Sequence, residues 1–266
     1  MPSGKIVTSI TILLLLAGCA TPKPTPEEMA MTPEAPYVFQ GKVGEPMKTA
    51  AAAADTTANL QPYAVKVSKI YYQQGTFVNQ TGKTITVSAE PGKLKAGNDY
   101  VIYAEPYMFG KTIAARLISA NDPSGFSQRQ VEIMKYTQEL RAIQERLRHI
   151  NVVVSANVVK VSPLEKTQAG ESEHSPNLQV AYIKVDRVLR GDVNPGELKI
   201  IFSASDDIQW YRAPKLKPGT KGVFLLQRAT KESQSLGVPA NHLTLFEKID
   251  LQPSNKIDMI ETALKP

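Results

Sequence analysis

Histidine and cysteine are sparse in this chain, and few of its ionisable residues stand at spacings that catalysis or metal binding requires. Its three histidines, His149, His174 and His242, are too far apart for a His-x-x-x-His motif, and a single cysteine offers no second thiolate for zinc. Asp206 and Asp207 are adjacent carboxylates, which we expect to be solvated on a loop rather than to bind a metal. The sequence therefore predicts no metal site, no cofactor and no catalytic residues.

Two short segments match the end of a phosphate-binding loop. Residues 82–84 and 110–112 both read Gly-Lys-Thr, but Phe77 and Glu105 stand where the motif needs its earlier glycine. Neither segment follows a strand and opens a helix, so we interpret both as the beginnings of strands. Since Gly-x-Ser-x-Gly is also absent, we expect a protein that is not an enzyme.

The single cysteine, Cys19, follows a short apolar segment. Lys5 precedes an almost unbroken apolar run from Ile6 to Leu16, which is shorter than the roughly 20 residues that a membrane-spanning helix needs. The small residues Ala17 and Gly18 then lead to the cysteine. A charged start, an apolar middle and a small-residue exit are typical of a secretory signal peptide.

The last four residues of this segment resemble a known motif. Leu16-Ala17-Gly18-Cys19 resembles the lipobox of bacterial lipoproteins. The resemblance implies that residues 1–18 are a signal peptide and that Cys19 carries a lipid that holds the chain to a membrane. In Gram-negative lipoproteins, Asp after the cysteine favours retention in the inner membrane, so Ala20 implies an outer-membrane anchor facing the periplasm. The residues alone also allow an ordinary signal peptide with a chance cysteine.

A proline-rich segment, residues 19–36, separates the cysteine from the rest of the chain. Its prolines stand among Thr, Glu and Ala residues at Pro22, Pro24, Pro26, Pro33 and Pro36. This composition predicts an extended and poorly packed tether, at about 3 Å per residue, which would hold a folded body roughly 40–50 Å from the lipid.

The overall charge is mildly basic. Lys and Arg number 31 against 25 Asp and Glu, which gives a net charge of +6, and the sequence contains no dense basic block. Such a bias suits anionic lipid or cell-wall polymers as well as nucleic acid, and we interpret it mainly as an aid to solubility. Because the predicted signal peptide implies export, we expect no nucleic-acid partner.

The body of the chain contains two copies of one pattern, which we place at residues 37–149 and 150–266. Lys-Leu-Lys-x-Gly occurs at residues 93–97 and again at 215–219, and Val65-Lys66-Val67 matches Ile183-Lys184-Val185 in type and alternation. Chance similarity between two β-rich halves is the alternative. Each copy has short runs rich in Val, Ile and aromatic residues between Gly, Pro and Asn, which predict antiparallel strands.

Each copy ends in a predicted helix. Residues 127–148 lack Gly and Pro and place apolar residues at steps of three and four, and residues 255–264 repeat this pattern more briefly. The longer helix has about two heptads, fewer than a coiled coil needs. We therefore expect it to pack on the first copy or to bridge the two copies rather than to dimerise.

The second copy resembles a known domain family. The residues that carry the resemblance are Ile-Lys-Val-Asp-Arg-Val-Leu-Arg-Gly at 183–191 and Leu-Lys-Pro-Gly-Thr-Lys-Gly-Val-Phe-Leu-Leu at 216–226. They resemble the netrin-like domains, which share an OB-type barrel with the tissue inhibitors of metalloproteinases; the first copy fits more loosely. The resemblance implies a mainly β fold of two tandem OB-like barrels, each followed by a C-terminal α-helix. Those inhibitors act through an N-terminal cysteine held by disulfides, which Cys19 cannot form alone, so only the fold is implied.

The two copies differ most at one segment. Where the first has only residues 90–92, the second has residues 205–214, which include Trp210, Tyr211 and Arg212. These residue types are the ones most enriched in binding hot spots, so we predict a binding site at these three residues. The alternative is that Trp210 folds back to cover one end of the barrel.

These observations lead to an expectation of function. We expect a lipid-anchored protein of the cell envelope that acts as a non-catalytic binding or scaffold module, with the membrane and an envelope protein as its partners. Binding of envelope glycan or lipid is the alternative, and a hydrolase or a protease inhibitor is a weaker one.

Overall fold

The computed structural model describes residues 22–47, 60–75, 78–109, 112–164 and 174–265. The predicted signal peptide and Cys19 lie outside these ranges. Strands dominate the described residues, and none of the helices among them is long and apolar enough to span a membrane.

The first barrel has five strands. They are β1 Tyr37–Pro46, β2 Gln61–Gln73, β3 Thr84–Ala89, β4 Asp99–Phe109 and β5 Thr112–Asn121. They close in the order β1-β2-β3-β5-β4, and every pairing is antiparallel except that of β3 with β5. Along β2 the alternation is the one predicted, because Val65 and Val67 are buried in the barrel while Lys66 is exposed.

The second barrel repeats this topology. Its strands are β6 Val152–Pro163, β7 Leu178–Arg190, β8 Glu197–Ser203, β9 Lys221–Arg228 and β10 Leu243–Leu245, with a short β11 Leu251–Gln252 on the outer side of β9. Strand β10 lies parallel to β8 and antiparallel to β9, which closes the ring in the same order as in the first barrel. The predicted fold is therefore confirmed: the protein is mainly β, with two tandem OB-like barrels, each followed by a helix.

The shared Lys-Leu-Lys-x-Gly element has the same role in both barrels. Leu94 and Leu216 are buried, each in the core of its own barrel. Gly97 and Gly219 have φ of +87° and +88°, a conformation that glycine adopts without strain. Gly97 donates its N–H to a β1 carbonyl at 2.7 Å, and Gly219 donates to a β6 carbonyl at 2.8 Å. The matching residues thus make matching contacts.

The helix between the barrels, α2 (Gln128–Leu147), bridges them. Ser127 opens it with a capping box. Val131 and Met134 in its first half pack on the outer surface of the first barrel. Ile143 and Leu147 in its second half pack on the second barrel, against a patch formed by Val153, Val223 and Leu225. The apolar stripe of the helix is thus buried within the chain.

Two further contacts hold α2 to the second barrel. The final helix, α4 (Ile257–Ala263), packs beside it and contributes Met259 and Ile260 to the same cluster. Arg146 of α2 forms a two-point ion pair with Asp250, a buried residue that follows β10. The helix that closes the first copy is therefore locked to the second.

The prediction of an extended N-terminal tether is wrong for residues 22–36. A short helix, α1 (Pro26–Met31), begins with a capping box between Thr25 and Glu28. Pro24 and Ala35 are buried, and Arg129 of α2 donates to the carbonyl of Pro22 at 2.7 Å. This segment lies against α2 because polar side chains there satisfy its backbone and carboxylate groups.

Candidate binding surface

Residues 204–220, here called the Trp210 loop, join β8 to β9 at one end of the second barrel. Asp207 organises its first turn: the Asp207 carbonyl accepts from the N–H groups of Trp210 and Tyr211, and its carboxylate accepts from Gln209 N–H at 2.8 Å. The His174 ring lies 2.9 Å from the same carboxylate. The Gln209 N–H, followed by the His174 ring, lowers the pKa of Asp207 below its usual range.

A lysine fixes the base of the loop. The Nζ of Lys215 donates to the carbonyls of Ser203 at 3.3 Å and Trp210 at 3.0 Å, and also to that of Ser205. A charged donor shared by three carbonyls joins the two ends of the turn. The loop therefore has a fixed shape that is set by its own side chains.

Trp210 is half-buried at the end of the barrel. Its indole Nε1 donates to the His174 carbonyl at 3.0 Å, and its ring meets Phe246 edge-on with 5.6 Å between centroids. One side of the ring thus covers the barrel, as the alternative interpretation expected, while part of it stays accessible to solvent.

The outward side of the loop is apolar and aromatic. Ile208 is 78% exposed and Tyr211 is 54% exposed. Arg212 is exposed as well; its Nε donates to the Tyr211 hydroxyl at 2.6 Å, and its guanidinium lies 5.3 Å from the ring centre. The loop presents these side chains in a defined arrangement, as a binding surface requires. Of the three predicted site residues, Tyr211 and Arg212 lie outward and Trp210 lies at the base.

The other candidate residues do not gather at one point. No group of three His, Cys, Asp or Glu side chains suitable for a metal occurs in the described ranges. Asp206 is exposed beside Asp207, whose carboxylate is taken up by the loop. His149 is exposed after α2, and His242 lies directly before β10 with its Nδ1 buried.

A second surface, which the sequence analysis missed, lies on the outer face of β6 to β9. Its members are four exposed lysines, one on each strand, here called the lysine band: Lys160, Lys184, Lys199 and Lys221. They face outward because alternate residues of the same strands fill the barrel core. Tyr182 lies among them, and the ammonium groups of Lys160 and Lys199 approach its ring centre at 5.4 and 5.3 Å.

The outer face of the second barrel is covered on both sides of the lysine band. On one side the β9–β10 connection, which contains the short helix α3 (Lys231–Ser235), folds back so that Val238 packs on Val180 and Ile201. On the other side α2 and α4 cover Val153 and Val223. The lysine band is the open strip between these covers.

A cavity of about 600 Å³ lies between α2 and the second barrel. Its walls are mostly apolar and include Ile143 of α2, Leu251 of β11 and Pro214 at the end of the Trp210 loop. No sequence pattern predicts this cavity, because its walls come from segments that are far apart in the chain.

No protein-family model matches the chain, and no curated protein matches it. Among solved structures, the tetrameric p202 HIN2 is 9% identical and aligns with 80% of this chain and 92% of its own, at a TM-score of 0.20. A deletion mutant of the single-stranded DNA binding protein from Thermus aquaticus is 12% identical and aligns with 73% of this chain and 86% of its own, at a TM-score of 0.18.

These comparisons correct the expectation about partners. We excluded nucleic acid, yet a single-stranded DNA binding protein is among the matched structures, so that exclusion is wrong. Identities and TM-scores this low do not transfer DNA binding to this chain. The comparisons also contain nothing that favours an envelope protein or a glycan as the partner, and we withdraw both.

Proposed function

We propose that the protein is an envelope lipoprotein, anchored through a lipid on Cys19, and that its second barrel is a non-catalytic binding module. In this proposal the Trp210 loop makes the contact with the ligand. The lipobox-like Leu16-Ala17-Gly18-Cys19 at the end of a signal-like apolar run supports the anchor.

The observation that carries the binding role is the construction of the loop. Its polar groups hold its shape: Lys215 joins three carbonyls, and Asp207 accepts from Gln209 and lies beside His174. Ile208 and Tyr211 stay exposed on this fixed base. A surface that is already ordered loses little conformational entropy on binding, which favours affinity.

The anchor is tested by the mass of the purified protein. We expect a mature chain that begins at residue 19 and carries a diacylglycerol and an acyl chain. Replacement Cys19→Ser should abolish incorporation of a labelled palmitate analogue. An unmodified thiol on Cys19 in the mature protein would rule out the lipid anchor.

The binding role is tested by photo-crosslinking in intact cells, with a photoreactive analogue at Tyr211 and a control at Lys66 of the first barrel. We expect a discrete adduct at Tyr211 that the control lacks. Nuclease and protease digestion of the adduct would identify its chemical class. If both positions give the same adducts, or if folded and lipidated protein gives none, the Trp210 loop is not the contact surface.

A further inference from the structure

The lysine band places four positive charges on one outer face of the barrel, where one exposed carboxylate, that of Glu197, lies opposite Lys184 in the β7–β8 register. Among the described residues, none of Lys160, Lys184, Lys199 and Lys221 forms an ion pair with a carboxylate. Lys160 and Lys199 lie on either side of Tyr182, and Lys184 and Lys221 lie on either side of Asn157, so each pair is roughly 10 Å apart across one intervening strand. With Glu197 counted, the face keeps a net positive charge. Such an arrangement attracts an anionic ligand.

A series of direct contacts links strand β7, which carries Lys184, with the first described residues. Arg187, three residues after Lys184 on β7, pairs with Glu261 of α4. The next residue, Thr262, accepts a hydrogen bond from Lys23. Strand β7 is therefore connected to Lys23 through α4.

Covalent geometry limits the distance between these residues and a lipid on Cys19. Only Ala20 and Thr21 separate Cys19 from Pro22, whose carbonyl is held by Arg129. Three extended residues span at most roughly 11 Å. A lipid on Cys19 would therefore hold the first turn of α2 close to the bilayer, together with the end of α4 that contacts Arg187 of β7.

We propose that the lysine band is a second membrane contact, which binds the phosphate groups of anionic phospholipids. The proposal rests on the Cys19 anchor for the orientation of the protein, and it adds a site that the Trp210 loop does not include. A lipid chain and a basic surface together hold a protein to a membrane more firmly than either does alone. Each lysine near an anionic surface strengthens binding by about fivefold at low salt.

The surroundings of Tyr182 favour a lipid surface over single-stranded nucleic acid. Proteins that bind single strands without sequence preference stack bases on exposed aromatic rings. Tyr182 is instead partly buried against the Val180 cluster, and it has two ammonium groups close to its ring. What the surface offers a ligand is charge rather than a stacking platform.

The first experiment measures the position of the lysine band relative to the bilayer. The lipidated protein carries a bimane fluorophore through Lys184→Cys, and the matched control carries it through Lys66→Cys at the equivalent position of the first barrel. Both are reconstituted into phosphatidylcholine vesicles with roughly 30 mol% phosphatidylglycerol and with nitroxide quenchers on the headgroups. We expect quenching several times stronger for the Lys184→Cys label, and loss of that difference in about 0.5 M salt. Equal quenching at the two positions would overturn the proposal.

The second experiment separates this proposal from the lipid anchor. The full chain with Cys19→Ser is titrated with phosphatidylglycerol vesicles, and the four lysines of the band are changed together to Gln. We expect at least a tenfold loss of apparent affinity, and less than a twofold loss when Lys42, Lys66, Lys69 and Lys83 of the first barrel are changed instead. Equal losses in the two variants would reject the lysine band whether or not Cys19 is lipidated.

The same proteins test the nucleic-acid alternative. A fluorescent thymidine oligonucleotide is titrated into the Cys19→Ser chain at the same salt concentration. We expect weaker binding than to the anionic vesicles. Tighter binding to the oligonucleotide, lost when the four band lysines become Gln, would show that the surface serves single-stranded nucleic acid and would overturn the membrane contact.

Discussion

The ion pair between Arg146 and Asp250 is the buried polar contact whose loss we expect to destabilise the protein most. The Asp250 side chain is 0% exposed, and Arg146 donates to its two oxygens at 2.7 and 3.1 Å. The N–H groups of Phe246 and Glu247 donate to the same carboxylate at 3.1 and 2.9 Å. Replacement Asp250→Asn keeps the size of the side chain but removes its charge.

The expected magnitude follows from what the replacement leaves behind. The Arg146 side chain is only 13% exposed, so without Asp250 its charge is buried with weaker compensation. Burial raises the pKa of Asp250, and the Arg146 guanidinium and the backbone donors offset part of that rise. Removal of one partner of a buried pair costs about 3–5 kcal/mol. This is a large share of the roughly 5–15 kcal/mol that stabilises a typical domain.

The assay is urea unfolding at pH 7, followed by circular dichroism and by the fluorescence of Trp210, the only tryptophan. The control is Glu261→Gln, because the pair of Glu261 with Arg187 is much more exposed, at 35% and 59%. We expect Glu261→Gln to lower the free energy of unfolding by less than about 1 kcal/mol. If Asp250→Asn lowers the free energy of unfolding no more than Glu261→Gln does, then burial does not determine how much the loss of a charge partner destabilises this protein.

Three further predictions follow from single contacts. Leu216→Ala should lower the free energy of unfolding by about 2–5 kcal/mol in urea titrations, because a buried leucine of the second core leaves a cavity; a loss below about 1 kcal/mol would contradict its buried position. Tyr37→Phe should be neutral or stabilising by up to about 1 kcal/mol, because the Tyr37 hydroxyl is buried without a partner in the described part of the chain, and burial raises its pKa to about 12. Tyr63→Phe is its control and should cost about 1 kcal/mol, since the Tyr63 hydroxyl donates to a glutamine at 3.0 Å. The Thr25 N–H, followed by Arg129, lowers the pKa of Glu28 below its ordinary 4.5, so the ionised carboxylate stabilises α1 at neutral pH. Hydrogen-exchange protection of α1, corrected for intrinsic rates, should fall as the pH drops below about 4.5. Glu28→Gln should show the same loss of protection already at pH 7. Unchanged protection in that variant would contradict a stabilising role for the Glu28 carboxylate.

The repeated architecture could be predicted from the sequence because its signals are local and occur twice. Alternation around Lys66 and Lys184 identified strands, since the period of a strand shows in a few consecutive residues. The Lys-Leu-Lys-x-Gly elements at 93–97 and 215–219 aligned the copies, and their leucines and glycines make equivalent contacts. Neither feature depends on residues that are distant in the chain.

The N-terminal segment shows why composition alone misled. Its five prolines predicted an extended tether, although Thr25, Pro26 and Glu28 form a helix start that is visible in the sequence. What holds the segment in place is non-local: Arg129 binds Glu28 and the Pro22 carbonyl from about 100 residues away. Contacts between residues so far apart in the chain cannot be predicted from the residue pattern of one segment.

The lysine band was missed for a related reason. Lys160, Lys184, Lys199 and Lys221 are separated by at least 15 residues in sequence, so no local window shows a basic cluster. Register brings them together, because Lys160 and Lys199 both lie opposite Tyr182, and Lys184 and Lys221 both lie opposite Asn157. Strand pairing was needed to turn a mild net charge into a charged surface.

The bridging position of α2 bears on how this chain can be divided. A cut at residues 149 and 150, where the sequence repeat suggests a border, would leave α2 on the first half with Ile143 and Leu147 uncovered. The second half would expose the patch on which those residues pack, and it would lose the partner of Asp250. Either fragment would expose an apolar surface to solvent and would tend to aggregate. The unit that must be expressed as a whole is therefore the pair of barrels with α2 between them.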